Sequence, residues 1–121
     1  MPSPAELDLT IYQGSTFEKS FQYKTGDPPT PVDITGVELR MQVRLKTSST
    51  DVLIELTTDN NRITIDDAAE GKFSFLITDE DTALLDFKRG VYDLEIVWPN
   101  GKVNKLLKGA VELEKEVTRE N

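Results

Sequence analysis

The stretch from Val37 to Lys46 alternates strictly between apolar and polar side chains. Its apolar positions are Val37, Leu39, Met41, Val43 and Leu45. Neighbouring side chains of an extended strand point to opposite faces, whereas a helix of about 3.6 residues per turn would spread these apolar side chains around its circumference. The alternation therefore predicts a β-strand with one buried face and one face exposed to water.

The same alternation recurs along most of the chain, interrupted by turn-forming residues. Gly14, Gly71 and the Asn100-Gly101 pair are typical of the tight turns that join neighbouring strands. The pattern predicts about eight or nine short strands, within residues 7–11, 17–23, 37–46, 52–56, 62–65, 72–77, 91–98, 103–107 and 110–115. Strands of this length and spacing favour an all-β fold, and specifically an antiparallel immunoglobulin-like β-sandwich.

One segment departs from the strand pattern and predicts a short helix near residues 78–86. Thr78 can cap its first turn, and the acidic side chains of Asp79, Glu80 and Asp81 suit the positive end of a helix dipole. The chain length favours a single domain over residues 1–121. Residues 1–6 are expected to form a flexible lead and residues 117–121 a solvated tail.

The charge balance restricts the partners and the chemistry. The chain has 22 acidic and 14 basic residues, a formal net charge of −8, which disfavours nucleic acid and anionic membranes. It has no cysteine and no histidine, so disulfides, zinc sites and histidine-based catalytic triads are excluded. Residues 1–6 do not have the basic and apolar regions typical of a signal peptide, and the sequence contains no apolar run of about 20 residues. We therefore expect a soluble, non-enzymatic protein made in the cytoplasm, with no cofactor and no small-molecule substrate.

Two groups of residues could bind a ligand, but an ordinary structural role explains each group better. An acidic group offers carboxylate oxygens for calcium, at Asp66, Asp67, Asp79, Glu80 and Asp81. It lacks the spacing of a calcium-binding loop, and helix capping explains its second half. An aromatic group suits sugar stacking, at Phe17, Phe21, Tyr92 and Trp98, yet these residues occupy inward positions of predicted strands. No metal site and no catalytic residue is predicted.

The edges of an open sheet expose unpaired backbone groups, which either need protection or bind a partner by strand addition. The first predicted strand, with Leu7, Leu9 and Ile11, is the natural candidate for such an edge. The short proline-containing segment before it suits an arm that becomes ordered against a neighbouring subunit, and simple fraying of the terminus is the alternative. This strand is the first part of the predicted partner interface.

Strand and turn motifs follow one another in a distinctive order along nearly the whole chain. They lie at residues 8–17, 32–36, 40–44, 54–57, 62–65, 90–95 and 103–109, beginning with Asp8-Leu9-Thr10-Ile11-Tyr12-Gln13-Gly14. In this order they resemble the motifs of small β-sandwich proteins of tailed bacteriophages. The best-known relatives are collar or fibre-attachment proteins of T5-like siphophage tails. The motifs are mostly strand and turn positions, so the resemblance is more specific for fold than for role.

The resemblance implies a non-enzymatic component of the virion. It implies assembly with other phage structural proteins, in a homo-oligomeric ring or on the surface of one, with no cofactor. The alternatives are a head-decoration or neck-associated virion protein and a carbohydrate-binding β-sandwich module.

The loop at residues 86–89 forms the second part of the predicted interface. Phe87 has polar neighbours, which makes it poorly explained as core, and an aromatic side chain beside Lys88 and Arg89 has the composition of a binding hot spot. Replacing Phe87 and Arg89 by alanine is expected to spare folding and to lower incorporation into particles. The complete predicted interface is Leu7, Leu9, Ile11, Phe87, Lys88 and Arg89.

Overall fold

The structure is a computed structural model that describes residues 4–118. Strands form most of it. The strands are β1 (Ala5–Glu6), β2 (Leu9–Tyr12), β3 (Phe17–Gln22), β4 (Lys24–Thr25), β5 (Thr30–Pro31), β6 (Glu38–Arg44), β7 (Ile54–Thr57), β8 (Ile63–Asp67), β9 (Lys72–Ile77), β10 (Arg89–Val97) and β11 (Val103–Glu114). A short helix, α1 (Asp79–Ala83), lies between β9 and β10.

The strands form two main sheets of a β-sandwich. In the larger sheet β10 lies between β11 and β6, with antiparallel pairing on both sides, and β7 pairs with the far side of β6. Both β1 and β2 pair with the outer side of β11. The smaller sheet has the order β3-β9-β8, and β4 and β5 form a separate hairpin. The predicted all-β sandwich is confirmed, and this division of strands resembles that of immunoglobulin domains.

A continuous apolar core fills the space between the sheets. Inward side chains alternate along the strands, as Leu39 and Val43 do in β6. In the smaller sheet the ring centroid of Phe21 lies 5.2 Å from that of Phe73 and 4.8 Å from that of Phe75. Each buried side chain of this size stabilises the fold by roughly 1.5–3 kcal/mol. The phase of the alternation therefore decides which side of each strand faces the other sheet.

The first strands run parallel to β11, which differs from the purely antiparallel sandwich that the sequence predicts. Ala5 and Glu6 pair with β11, so the expectation of a flexible lead is wrong at these two positions. Leu9 pairs further along, beside Val111. A parallel pair needs no hairpin, because the two segments come from opposite ends of the chain. Residues 4, 117 and 118 of the predicted lead and tail belong to no strand or helix, and residues 1–3 and 119–121 lie outside the described residues.

Between β1 and β2 the chain makes a close approach to β11 at a glycine. A Cβ atom at Gly109 would overlap the carbonyl oxygen of Leu7, so this approach requires glycine. The amide of Ala110 donates to Oδ1 of Asp8 at 2.9 Å, and the hydroxyl of Tyr92 donates to the Leu7 carbonyl at 2.6 Å. Burial, with the Asp8 charge nearby, raises the pKa of Tyr92 to about 12. These two side chains satisfy backbone groups where the chain steps from β1 to β2.

The strand β11 is continuous where the sequence predicts two strands, at residues 103–107 and 110–115. Its register against β10 shifts, because Leu94 pairs with Leu107 whereas Glu95 pairs with Lys105. Leu106 is therefore an extra residue in a β-bulge. The bulge interrupts the alternation of apolar and polar positions, which is why the sequence pattern divides this strand.

The helix α1 is shorter than the helix predicted near residues 78–86. It is capped as predicted, because Oγ1 of Thr78 accepts a hydrogen bond from the amide of Asp81 at 3.3 Å. It ends at Ala83, after which the chain becomes extended. A continued helix could not place both Leu85 and Phe87 in the core, since positions two apart lie on different sides of a helix.

Phe87 is a core residue, so the prediction that it is an exposed anchor is wrong. Its side chain is 7% exposed, and it belongs to the same apolar cluster as Leu85. The two buried side chains alternate with the exposed residues Asp86 and Lys88. The polar neighbours of Phe87 are thus the outward positions of an extended segment and do not indicate an exposed loop.

The buried hydroxyl of Thr82 joins α1 to the turn between β2 and β3. Its Oγ1 accepts a hydrogen bond from the amide of Gly14 at 3.0 Å and lies 2.8 Å from the carbonyl of Ser15, to which it donates. The side chain is fully buried. Because both backbone groups depend on this hydroxyl, Thr82 fixes the position of the helix relative to the first strands.

We expect Phe87→Ala to lower the free energy of unfolding by about 3 kcal/mol or more, because it removes a buried aromatic side chain and leaves a cavity. Denaturant unfolding of the purified variant measures this change. The neighbouring exposed substitution Lys88→Ala is the control, and should alter stability by no more than about 0.5 kcal/mol. Equal stability of the two variants would contradict the buried position of Phe87.

We expect Thr82→Val to destabilise the protein by about 1–3 kcal/mol, because valine has a similar shape but leaves the amide of Gly14 without its acceptor. The same change at the exposed strand residue, Thr64→Val, is the matched control. Thermal unfolding followed by circular dichroism distinguishes the two. A Thr82→Val protein as stable as the control would show that the hydroxyl does not support the turn.

Candidate interaction surfaces

The apolar residues of the predicted interface do not form an exposed surface. Leu9 and Ile11 are buried in the core, Ile11 being only 1% exposed, and Leu7 is half-buried. Phe87 is buried as well. The prediction of an exposed interface is therefore wrong for the side chains of Leu9, Ile11 and Phe87. All three side chains are buried for the same physical reason. The apolar positions that reveal an extended segment in the sequence are the positions that face the core.

The two basic residues of the predicted interface, Lys88 and Arg89, are exposed at the start of β10. Nη1 of Arg89 lies 3.0 Å from Oε1 of Glu112 on β11, and because both side chains are more than half exposed, this ion pair contributes little to stability. The carbonyl of Lys88 accepts a hydrogen bond from the amide of Leu113 at 3.0 Å. The backbone is thus fixed while the basic side chains stay accessible to a partner.

The outer face of the larger sheet, formed by the outward side chains of β6, β7, β10 and β11, carries a network of ion pairs. Nζ of Lys105 lies 2.6 Å from Asp93 and 3.5 Å from Glu95. Nε of Arg40 contacts the same Glu95 at 2.9 Å. The hydrogen bond to Asp93 raises the pKa of Lys105 above its ordinary value. The central charges of this face are therefore largely paired with one another.

The network continues toward β7 through hydrogen bonds. Nε2 of Gln42 donates to Glu55 at 2.8 Å, and Nη2 of Arg44 donates to Oε1 of Gln42 at 2.7 Å. Nη1 of Arg44 donates to the carbonyls of Ser49 and Thr50 at 2.8 and 2.9 Å. These side chains line an open groove of about 1300 Å³. The polar groups that line this groove are therefore largely bonded to one another.

The acidic residues considered for calcium are used in two separate places. Asp79, Glu80 and Asp81 form the first turn of α1, whereas Asp66 and Asp67 belong to β8. Arg62 donates to Oδ2 of Asp81 at 2.8 Å, and this hydrogen bond holds the pKa of Asp81 below its usual range. Within residues 4–118 there is no group of three or more histidine, cysteine, aspartate or glutamate side chains that could hold a metal ion.

The aromatic residues considered for sugar stacking do not form an exposed platform. Tyr92 is buried, and Phe17, Phe21 and Trp98 are partly buried against the core. Nε1 of Trp98 donates to Oδ1 of Asn104 at 2.9 Å. Their inward positions agree with the expectation that they serve packing.

Exposed apolar side chains concentrate at the end of the sandwich that carries α1. We call this set the α1-end residues: Tyr12, Leu45, Val52, Leu84 and Val117. They are five of the seven large apolar side chains exposed in the described chain, and Leu84 and Val117 are 82% and 90% exposed. β2, β6 and β11 end on this side, and β7 and β10 begin there. Sequence reasoning missed this set, although the adjacent leucines at 84 and 85 signal that one of them faces outward.

The side chain of Gln13 joins the separate chain segments of this end. Its Nε2 donates to the carbonyl of Leu85 at 2.9 Å, and its Oε1 accepts a hydrogen bond from the amide of Glu116 at 3.0 Å. Tyr12, Leu84 and Val117 are sequence neighbours of these three residues. The arrangement therefore holds three of the α1-end residues on one fixed backbone framework.

None of the helices in the described part of the chain has the length and apolar character needed to cross a membrane.

Comparisons with known proteins leave the role open. Neither a protein-family model nor a curated protein matches the chain. Among solved structures, one from a study of the multimeric cell-adhesive interactions of VGSC beta subunits is similar, with a TM-score of 0.48 and 15% sequence identity over 92% of each chain. An identity this low leaves the role of this chain to be inferred from its own surfaces.

Proposed function

We propose that this chain is a non-enzymatic structural component of a tailed-phage virion, where it joins other virion proteins at the tail, collar or fibre-attachment region. The resemblance of its strand and turn motifs to those of small phage β-sandwich proteins supports the location. The observation that carries the binding role is the concentration of exposed apolar side chains at the α1 end.

The α1-end residues have the character of a protein-binding surface. Burying a side chain such as Leu84 or Val117 against a partner is worth roughly 1.5–3 kcal/mol. Tyr12 adds an aromatic residue, a type enriched at interfaces, and the exposed side chains of Lys88 and Arg89 lie at the same end. Since Thr82 and Gln13 already fix this end, a partner would spend little free energy on ordering it.

The partner in this proposal is another virion protein, and a ring of identical copies is part of the same proposal. In such a ring the α1 end of one copy contacts a different surface of the next copy, which is the head-to-tail arrangement that closes into cyclic symmetry. A head-decoration or neck-associated protein would use the same surface at another place in the particle. Within residues 4–118, the aromatic side chains form no exposed platform that would favour the carbohydrate-binding alternative.

Substituting an α1-end residue tests the docking role. We expect Leu84→Asp to lower the number of copies in purified particles by at least about tenfold, because a hot-spot contact contributes about 2 kcal/mol and a buried carboxylate costs more. Quantitative mass spectrometry of particles made with the variant measures this number. Leu84 is exposed, so the variant should fold and unfold as the unmodified protein does.

The matched control is Val103→Asp, which places the same charge on an exposed apolar position outside the α1 end. It should be incorporated at the normal level. Normal incorporation of Leu84→Asp would contradict docking through the α1 end. Absence of the unmodified chain from purified particles would contradict the virion role itself, and electron microscopy of labelled particles distinguishes the tail, collar and head locations.

A further inference from the structure

The free sheet edges of this sandwich differ in how their backbone groups are protected. In the two main sheets of residues 4–118, five strands have one side unpaired: β1, β2 and β7 in the larger sheet, and β3 and β8 in the smaller one. An unprotected edge accepts additional strands. The edges of β7, β3 and β8 carry a feature that opposes such pairing, whereas those of β1 and β2 do not, and β1 is only two residues long.

The edge of β7 is closed by a side-chain amide that takes the place of a neighbouring strand. Oδ1 of Asn60 accepts a hydrogen bond from the amide of Thr57 at 2.9 Å, and its Nδ2 donates to the carbonyl of Glu55 at 2.9 Å. Nη1 of Arg62 donates to the same carbonyl at 2.9 Å. The amide of Thr58 already bonds to β6, so the groups held by Asn60 are the outward ones. Neither Glu55 nor Thr57 therefore keeps both of its outward backbone groups for a partner.

The two edges of the smaller sheet are protected in other ways. In β8 the register against β9 shifts between Ile65 and Asp67, so a bulge at Asp66 distorts the edge. In β3 the position between Phe17 and Phe21 on the inner face is Lys19, which is exposed. A charge in the inward phase of an edge strand opposes the addition of another strand, because the added sheet would bury it.

The edge of β2 keeps its outward backbone groups. The amides of Leu7 and Gln13 bond to β11, at the carbonyls of Lys108 and Glu114. Because ladder bonds alternate along a strand, the backbone groups of Thr10 and the amide of Tyr12 face away from β11. The carbonyl of Tyr12 accepts a hydrogen bond from the amide of Ser15, which ends the edge there. Three backbone groups in line are thus available.

The side chains around this edge are predominantly acidic. Asp8 lies just before β2, and Thr10 and Tyr12 pair with Glu112 and Glu114 on the same outward face. Glu112 is paired with Arg89, whereas no ion pair to Glu114 is formed within residues 4–118. An added strand would place side chains beside Asp8, and lysine or arginine side chains are long enough to reach across β2 toward Glu114.

We propose that the outer edge of β2 binds an extended segment of another polypeptide as an additional strand, and that this segment carries lysine or arginine at alternate positions. The backbone groups of Thr10 and Tyr12 supply the pairing, and the carboxylates of Asp8 and Glu114 select the positive charge. A second copy pairing through its own β2 would bring the same carboxylates together, which is unfavourable. This inference goes beyond docking through the α1 end and does not depend on the virion role.

The test uses the intact protein and a synthetic octapeptide in which lysine alternates with valine or threonine. We expect weak binding, with a Kd on the order of 1 mM, because three hydrogen bonds and a few ion pairs leave little free energy beyond the cost of association. Amide hydrogen exchange followed by NMR should slow at Thr10 and Tyr12. Exchange at the outward amides of the β3 edge, such as that of Ser20, should not change.

Two variants and one altered peptide complete the test. Thr10→Pro removes an outward amide and should weaken binding at least tenfold, whereas Ser20→Pro makes the same change on the β3 edge and should not. Glu114→Lys alters only a surface charge and should weaken binding even if Thr10→Pro folds poorly. A peptide with glutamate in place of lysine should not bind.

Undiminished binding by both Thr10→Pro and Glu114→Lys would overturn the proposal. Protection at another edge, or no binding of the lysine peptide, would do the same. None of these results concerns particle incorporation, so failure here is distinguishable from failure of the proposed function.

Discussion

Each strand must turn one set of alternate side chains toward the other sheet, and this constraint governs the rest of the molecule. A slip of one residue in β6 would expose Leu39 and Val43 and would bury Arg40, so the register is strongly fixed. The same constraint separates residues that stabilise the fold from residues that a partner can reach. Ion pairs such as Arg40 with Glu95 therefore occupy the outward positions of the larger sheet. Most of the exposed large apolar side chains among residues 4–118 lie at or beyond the ends of strands.

The parallel attachment of the first strands depends on contacts that are distant in sequence. Gly109 allows the Leu7 carbonyl to approach β11, and Tyr92 and Asp8 then satisfy the backbone groups at this point. Tyr92 belongs to β10, so one hydrogen bond ties the first strand to the middle of the larger sheet. The edge formed by β2 is consequently held on a rigid support, although it lies near the beginning of the chain.

Much of this architecture could be predicted from the sequence, because a period of two is a local signal. The strand around Met41, the capped helix beginning after Thr78 and the turns at glycine follow from neighbouring residues alone. The continuity of β11 could not be predicted, since the bulge at Leu106 breaks the alternation that reveals a strand. The residues that a partner could contact are even harder to predict from the sequence. The burial of Phe87 could not be predicted, because alternation with polar neighbours looks the same in a loop and in an extended core segment. The closure of β7 by Asn60 could not be predicted either, because it depends on side-chain geometry that no sequence pattern encodes.

The α1 end and the edge of β2 meet at Tyr12, which is the last residue of β2 and an exposed α1-end residue. Three backbone hydrogen bonds are worth about 0.5–1.5 kcal/mol each, and because association costs several kcal/mol, they and the ion pairs leave little net affinity. An added strand alone would therefore bind weakly. A partner that runs along β2 and also covers Leu84 or Val117 gains apolar burial at one end of the same segment. Strand pairing would then fix the direction of the partner while the apolar contacts supply most of the affinity. Together the two contacts would let this acidic chain bind one neighbour in one orientation.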